Sequence, residues 1–161
     1  MDNLAAGLLM CRISDGRLEF FLVHPGGPFF RNKDAGAWSI PKGIPEGSEN
    51  LIDTARREFL EETGISPIPP FHSLGTIKQK AGKIVHAWAF EGEWDPRTGI
   101  VCNTFMLEWP PRSGKKVEFP EVDRAQWFDY NHAIRMIIPE QIPFLDHAKT
   151  FFKTKTTRSS A

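Results

Sequence analysis

Apolar residues fall into short runs along this chain, and two such runs open it. Leu4 to Ile13 and Arg17 to Val23 are rich in residues that favour strands, and they flank Ser14-Asp15-Gly16, which is a turn signal. Two later runs, Phe71 to Lys80 and Lys83 to Glu93, are separated by Ala81 and Gly82 in the same way. The pattern therefore predicts two hairpins.

The rest of the chain alternates between shorter apolar runs and polar segments. Further strands are predicted at Ala37 to Ile40, Thr104 to Trp109 and Ala125 to Tyr130, and helices at Asn131 to Ile138 and Gln141 to Phe152. Loops are predicted where glycine, proline and charge concentrate, at His24 to Gly36, Gly43 to Gly47 and Pro110 to Pro120. Hairpin-linked strands with few helices indicate an α/β fold with helices packed on a mixed sheet. We expect a single domain over residues 1–152 and a frayed polar tail over 153–161.

The clearest helical period lies between Glu49 and Thr63, with Ser48 as the expected N-cap and Gly64 as the expected C-terminal stop. On a helical wheel the apolar residues form one stripe. Two carboxylates, Glu58 and Glu62, border this stripe, and Glu61 lies one step further round. A solvated acidic face is expected on the side opposite the stripe.

These carboxylates need an explanation, because clustered charges beside a core repel one another and are poorly hydrated. They also lie near the helix C-terminus, where the helix dipole disfavours negative charge. A hard divalent cation such as Mg²⁺, which prefers oxygen ligands, explains the cluster. A solvated surface patch remains the alternative reading at this point.

Composition bounds the function only loosely. The 161 residues include 20 Lys plus Arg and 20 Asp plus Glu, and this net charge of zero argues against a general nucleic-acid-binding surface. Cys11 and Cys102 lie far apart in apolar runs and are expected to be reduced core thiols. The N-terminal apolar run is broken by Arg12, so we expect neither a signal peptide nor a membrane span, and a cytoplasmic setting.

The segment from Gly43 to Ile65 resembles the Nudix box. Gly43, Glu49 and the run Arg57-Glu58-Phe59-Leu60-Glu61-Glu62-Thr63-Gly64-Ile65 match every fixed position of that motif. The resemblance implies the family's α/β/α sandwich with a mixed sheet. It also implies hydrolysis of a phosphoanhydride bond in a nucleoside diphosphate derivative, dependent on Mg²⁺, with Mn²⁺ as the alternative cation. The substrate is then a small nucleotide. The oligomeric state is left open.

The resemblance also implies residue roles. Glu58, Glu61 and Glu62 would be metal ligands, Gly43 would bring a backbone carbonyl to the metal, and Arg57 would pair with Glu49 to stabilise the box. Beyond the box, Glu121 precedes Trp127 by a spacing similar to that of the family's distal glutamate, as a further ligand or general base, with Glu118 as the next candidate. The candidate catalytic residues are Glu61, Glu121 and Arg57.

Substrate contacts are less specific in the sequence. Lys42 directly precedes the box and is expected to face phosphate oxygens, while Trp38 and His24 are candidates to border a nucleobase. The segments around Gly7, Phe21 and Trp38 look most like diadenosine tetraphosphate hydrolases. The open alternatives are a house-cleaning nucleoside triphosphate pyrophosphohydrolase and a non-catalytic nucleotide-sensing Nudix domain.

Overall fold

The structure is a computed structural model that describes the backbone of residues 3–160 and the side chains of residues 3–153. Its main feature is a six-stranded sheet. The strands are β1 (Leu4–Ser14), β2 (Arg17–Pro25), β3 (Lys42–Gly43), β4 (His72–Lys78), β5 (Ile84–Glu91) and β8 (Val122–Asp129). They lie in the order β4-β5-β1-β2-β8, with the short β3 also paired to β1. The β1–β5 pair is parallel and the others are antiparallel, so the predicted mixed sheet is confirmed.

Helices cover both faces of this sheet. Helix α1 (Leu51–Thr63) packs on one face, where Phe59 contacts Phe21 and Phe90. Helices α2 (Tyr130–Met136) and α3 (Ile142–Ser160) pack on the other face through a second apolar cluster that includes Phe144. Alternate strand residues supply the two clusters, because successive side chains of a strand point to opposite faces. The α/β/α sandwich expected from the sequence is therefore present.

The hairpin of β6 (Thr104–Glu108) and β7 (Lys116–Pro120) stands apart from the main sheet. The prediction that Pro110 to Pro120 is entirely loop was wrong, because its second half pairs with β6 in a regular antiparallel register. Both strands are largely exposed, so burial does not impose a hydrophobic alternation that would have marked β7 in the sequence. This hairpin lies next to the candidate site.

The ends of α1 differ slightly from the expectation. Asn50, and not Ser48, is the N-cap: its side-chain oxygen accepts a 3.0 Å hydrogen bond from the backbone N–H of Asp53. The C-terminal stop at Gly64 is confirmed, since this residue has φ of 78° and donates its N–H to the Leu60 carbonyl at 2.8 Å. A left-handed conformation at that position favours glycine.

Two other local predictions need correction. The expected strand at Ala37 to Ile40 is reduced to isolated bridges, one between Val23 and Ser39 and one between Trp38 and Ile137. The expected helix end at Phe152 is too early, because α3 continues as far as Ser160. Ala161 lies outside the described residues.

Both cysteines are free thiols, with Cys11 in the core and Cys102 half-buried. Burial raises the pKa of Cys11, as expected for an unreactive core thiol. Within the part of the chain that the structure describes, no helix is both long and apolar enough to cross a membrane.

Candidate active site

Gly43 lies against the carboxylate of Glu58, and this contact fixes the box loop to α1. Strand β3 places Gly43 opposite Ala6 of β1, and α1 packs against both β1 and β3. A Cβ atom on Gly43 would overlap all three carboxyl atoms of Glu58. A residue without a side chain is therefore required here, and the backbone of Gly43 sits beside a candidate ligand.

Arg57 connects the loop to three glutamates. Its guanidinium holds Glu49 at two positions, with Nε–Oε2 of 2.9 Å and Nη2–Oε1 of 3.0 Å. Its Nη1 donates to Glu58 at 2.9 Å and to Glu61 at 3.1 Å, and its Nη2 donates to the Ile44 carbonyl at 3.0 Å. The expected pair with Glu49 is thus present, together with an i,i+4 pair with Glu61. These hydrogen bonds lower the pKa of Glu49 to about 2 and raise that of Arg57.

Two carboxylates of α1, Glu58 and Glu62, are half-buried, as their positions beside the apolar stripe of the helical wheel predict. Burial raises the pKa of Glu62 to about 8, the negative charges of Glu58 and Glu121 add to the increase, and Lys42 partly offsets it. Burial also raises the pKa of Glu58, against the opposing effect of Arg57. The charged forms are therefore destabilised where they stand.

One cavity of about 280 Å³ brings α1 residues and the distal glutamate together. Glu62 and Glu121 line it from different elements, since Glu62 is on α1 and Glu121 precedes β8, and Lys42 lies on the same wall. The rest of the lining is largely apolar: Val23, Pro25, Phe30, Gly36, Ala37, Ser39, Ile40, Val122 and Ile138. Glu118 is absent from this lining, because it lies within the β6–β7 hairpin opposite Met106.

Lys42 is the cation at the centre of this charge arrangement. Burial lowers its pKa, and the nearby positive charge of Lys83 lowers it further, whereas Glu62 and Glu58 raise it. Lys83 was missed by the sequence analysis. Lys83 directly precedes β5, whose first residues pair in parallel with the first residues of β1, and β1 in turn pairs with β3, which contains Lys42. No local pattern in the sequence predicts the β1–β5 pairing.

His24 and Trp38 are not at the cavity surface, so the expectation that they border a nucleobase is wrong in this structure. Their exposed fractions are 0% and 2%. The His24 Nδ1 lies 2.7 Å from a carboxylate oxygen of Asp123, and its Nε2 lies 2.6 Å from the Lys33 carbonyl. The Trp38 ring packs edge-on against His24 and Phe128, and its indole N–H donates to Asp34 at 2.7 Å. Both rings hold loops in place instead.

A chain of backbone hydrogen bonds joins the two sides of the cavity, and sequence reasoning gave no sign of it. The N–H of Asn103 donates to the Glu61 carbonyl at 2.9 Å, and the N–H of Glu121 donates to the Asn103 carbonyl at 2.9 Å. The N–H of Gly26 then donates to the Glu121 carbonyl at 3.0 Å. The last turn of α1 and the loop with Glu121 are therefore held at a defined separation.

The donor set fits a hard divalent cation in its chemistry. Glu58, Glu62 and Glu121 are carboxylates whose pKa values are raised by burial, and a dication would neutralise their mutual repulsion. Among the described residues, no three Asp, Glu, His or Cys side chains are yet gathered tightly enough to hold a metal ion. Arg57 explains part of this spread, since it holds the carboxylates of Glu58 and Glu61.

Comparison with solved structures supports the fold. A Caenorhabditis elegans Ap4A hydrolase, solved as a binary complex, aligns with a TM-score of 0.68 at 22% identity, covering 93% of this chain and 98% of that one. The Nudix domain of Shewanella oneidensis NrtR, solved with ADP ribose, aligns with a TM-score of 0.64 at 17% identity, covering 94% and 89%. Likenesses at these identities establish the architecture.

Sequence relatives match over shorter stretches. The mouse protein named nucleoside diphosphate-linked moiety X motif 6 is 44% identical over 50 residues, which is 31% of this chain and 15% of that protein. An uncharacterized 17.7 kDa protein of phage T4 is 35% identical over 86 residues, which is 52% of this chain and 55% of that protein. The chain thus spans only part of the length of either relative.

The family itself is identified over nearly the whole chain. The NUDIX domain family matches residues 1–148. This match includes the box from Gly43 to Ile65 and the region of Glu121, and Glu62 of the box lines the same cavity as Glu121. The chain belongs to the Nudix hydrolase family.

Proposed function

We propose that this protein is a magnesium-dependent hydrolase that cleaves a phosphoanhydride bond in a nucleoside diphosphate derivative, with dinucleoside polyphosphates such as diadenosine tetraphosphate as its leading substrate class. The observation that carries this proposal is the shared cavity, in which Glu62 of α1, Glu121 from outside the box and Lys42 meet. Carboxylates for a cation and a lysine for phosphate oxygens are what metal-assisted phosphate hydrolysis requires.

In this proposal Glu58, Glu61, Glu62 and Glu121 hold the metal, together with the backbone of Gly43. Mg²⁺, or Mn²⁺ in its place, would supply charge neutralisation at the phosphate oxygens and lower the pKa of a bound water. Arg57 binds one oxygen of Glu58 at 2.9 Å and one oxygen of Glu61 at 3.1 Å, so the second oxygen of each carboxylate can coordinate the metal while Arg57 orients it.

The chain's own residues do the remaining work. Lys42 orients the phosphate chain as a point charge. Glu121 accepts the proton of the attacking water, because it lines the cavity from the segment before β8, and not from α1, which carries the other carboxylates. Glu61 is the second candidate for this base, and Arg57 holds it through a hydrogen bond to its Oε2. Arg57 itself positions Glu58 and Glu61 and stabilises the box through Glu49.

The substrate assignment is tested by a panel of nucleotides. Purified protein with Mg²⁺ is incubated with diadenosine tetraphosphate, ATP, an oxidised deoxyguanosine triphosphate and ADP-ribose, and the products are separated by chromatography. We expect the fastest release of a nucleotide from diadenosine tetraphosphate. Preferential cleavage of the oxidised nucleotide would favour the house-cleaning alternative, and binding without any turnover would assign the chain to the sensing class.

Two further parts of the proposal come from the sequence. A small-molecule nucleotide is the expected partner, and the balanced charge of the chain argues against a nucleic-acid substrate. A cytoplasmic location is also proposed, because Cys11 and Cys102 are free thiols, as is usual in a reducing compartment.

A further inference from the structure

The β6–β7 hairpin and the loop after β2 pack together beside the cavity. Gly27 leaves so little room that a Cβ atom there would lie 3.0 Å from the Phe105 ring of β6. Further along, the rings of Phe29 and Trp109 meet edge to face, with centroids 5.5 Å apart and planes at 83°. The hairpin therefore extends the wall of the cavity outward and does not contribute to either core.

Aromatic side chains are unusually exposed on this extension. Phe29 is 59% exposed, and its neighbour Phe30 is 37% exposed and lines the cavity. The Lys33 ammonium group lies 5.5 Å from the centroid of the Phe30 ring. A single exposed apolar residue needs no explanation, but exposed aromatic rings gathered at the mouth of a cavity mark a binding surface.

The cavity is too small to enclose a two-nucleoside substrate. Its volume of about 280 Å³ lies just below the range of about 300–1,000 Å³ that encloses a drug-sized ligand. One nucleoside with its phosphates fills such a space. The other end of a dinucleoside polyphosphate must then lie outside, and the aromatic surface at Phe29 and Trp109 begins one residue beyond Phe30 on the cavity rim.

We propose that Phe29 and Trp109 form an outer nucleoside site, which binds the second base of a dinucleoside polyphosphate while the first nucleoside occupies the cavity. This inference rests on the proposed function. Flat rings stack on bases without reading their identity, and a neighbouring lysine favours the connecting phosphates. Phe30 lines the cavity and Phe29 contacts Trp109, and these neighbours in the chain have Cα atoms about 3.8 Å apart. One polyphosphate can therefore connect a nucleoside in the cavity to a base at Phe29 and Trp109.

The outer site also has a physical link to the chemistry. The hairpin begins just after Asn103 and ends just before Glu121, and these two residues are joined to each other and to Glu61 by backbone hydrogen bonds of 2.9 Å. A base held on the hairpin therefore steadies the segment that carries Glu121. We expect its removal to act mainly on KM for long substrates, with a smaller loss in kcat.

The test compares a substrate with two nucleosides against one with a single nucleoside. Trp109→Ala and Phe29→Ala should each raise KM for diadenosine tetraphosphate about tenfold and leave KM for ATP unchanged. Trp109→Phe keeps an aromatic face and should restore most of the affinity. Phe30→Ala is the matched control, because Phe30 lines the inner cavity and its loss should weaken both substrates alike.

Other outcomes separate this inference from the function on which it rests. Equal losses on both substrates, or no loss on either, would overturn the outer site and leave the proposed function standing. A wild-type enzyme that cleaves ATP but not diadenosine tetraphosphate would overturn the outer site and the dinucleoside substrate class, and would leave only the metal-dependent phosphoanhydride hydrolysis standing. Failure of the wild type on every nucleotide would overturn both. If Trp109→Ala lowers the melting temperature, Phe29→Leu carries the same test, since it removes the ring but keeps an apolar contact with Trp109.

Discussion

Glu62 is the residue at which the needs of the fold and of the proposed chemistry conflict. Its carboxylate lies among apolar side chains, and burial together with Glu58 and Glu121 raises its pKa to about 8. Without a cation, an uncharged side chain of the same shape would suit this position at least as well. A residue whose charged form is destabilised by its surroundings in this way is a candidate for a functional role.

The first prediction follows from this conflict. Glu62→Gln keeps the shape of the side chain and removes the charge that a cation requires, so the fold should persist while kcat falls by at least about a hundredfold. Without metal, the melting temperature should equal that of the wild type at neutral pH, where a carboxyl group with a pKa of about 8 is largely uncharged, and should exceed it above pH 8, where a buried charge is lost. Near-normal turnover in the folded variant would contradict the proposed metal site.

The second prediction separates the two glutamates outside the box. Glu121 lines the cavity, whereas Glu118 is an exposed residue in β7. Glu121→Gln should lower kcat more than it raises KM, as expected for a group that acts mainly in the transition state. Steady-state kinetics at saturating Mg²⁺ should show little effect of Glu118→Gln. Damage in neither variant would leave Glu61 as the base.

Single residues differ in how far the sequence alone predicts them. The positions of Gly43, Glu58 and Glu62 follow from local spacing on one loop and one helix, so the motif is sufficient to predict their proximity. His24 and Trp38 could not be judged in this way, because their burial depends on Asp123 and Phe128, about a hundred residues later in the chain. The polar ring atoms of both are satisfied inside the protein, which only the tertiary structure reveals.

At the element scale, α1 depends on Arg57 for its connection to the preceding loop. A single planar guanidinium makes five hydrogen bonds, to Glu49 twice, to Glu58, to Glu61 and to the Ile44 carbonyl. An ammonium group has three donors and no plane, so a lysine cannot reproduce this arrangement. The helix would then be free to shift relative to Gly43.

The third prediction uses that difference. Arg57→Lys should reduce kcat by about tenfold to a hundredfold, as is usual when a group that orients metal ligands is changed, and should also lower the melting temperature. Arg56→Lys is the matched control on the same helix, because Arg56 is exposed and lies 5.3 Å from the Phe71 ring. Equal effects of the two substitutions would show that Arg57 is a surface charge and not a positioning residue.

Elements with strong local signals were predicted well, and those defined by distant partners were not. Helix α1 and the hairpins β1–β2 and β4–β5 have turns, caps and apolar periods of their own. Strand β7 has none of these, since its residues are mostly exposed and its partner β6 lies beyond a loop. The parallel pairing of β1 with β5, which places Lys83 near Lys42, joins segments about 80 residues apart and has no local signature.

At the scale of the whole molecule, the two apolar clusters on either side of the sheet are independent of the candidate metal site. Within the described residues, neither cluster contains Glu58, Glu61, Glu62 or Glu121. Aromatic edge-to-face contacts among Phe21, Phe59, Phe90 and their neighbours fill the cluster under α1. The packing of α1 on the sheet thus comes from its apolar face, and Arg57 adds the connection to the preceding loop.

The last prediction follows from this separation of core and site. Excess chelator should abolish hydrolysis yet leave the far-ultraviolet circular dichroism spectrum unchanged, since the fold does not require the cation. Restoring Mg²⁺ should raise the melting temperature, because the cation binds the folded state. When the Mg²⁺ concentration is a hundred times its Kd, the free energy of unfolding should rise by about 2.7 kcal/mol. Glu62→Gln should lose most of that gain, because the cation then has one carboxylate fewer. Unchanged hydrolysis in chelator would exclude the metal-dependent reaction, and unfolding in chelator would show that the carboxylates of α1 are part of the structural framework.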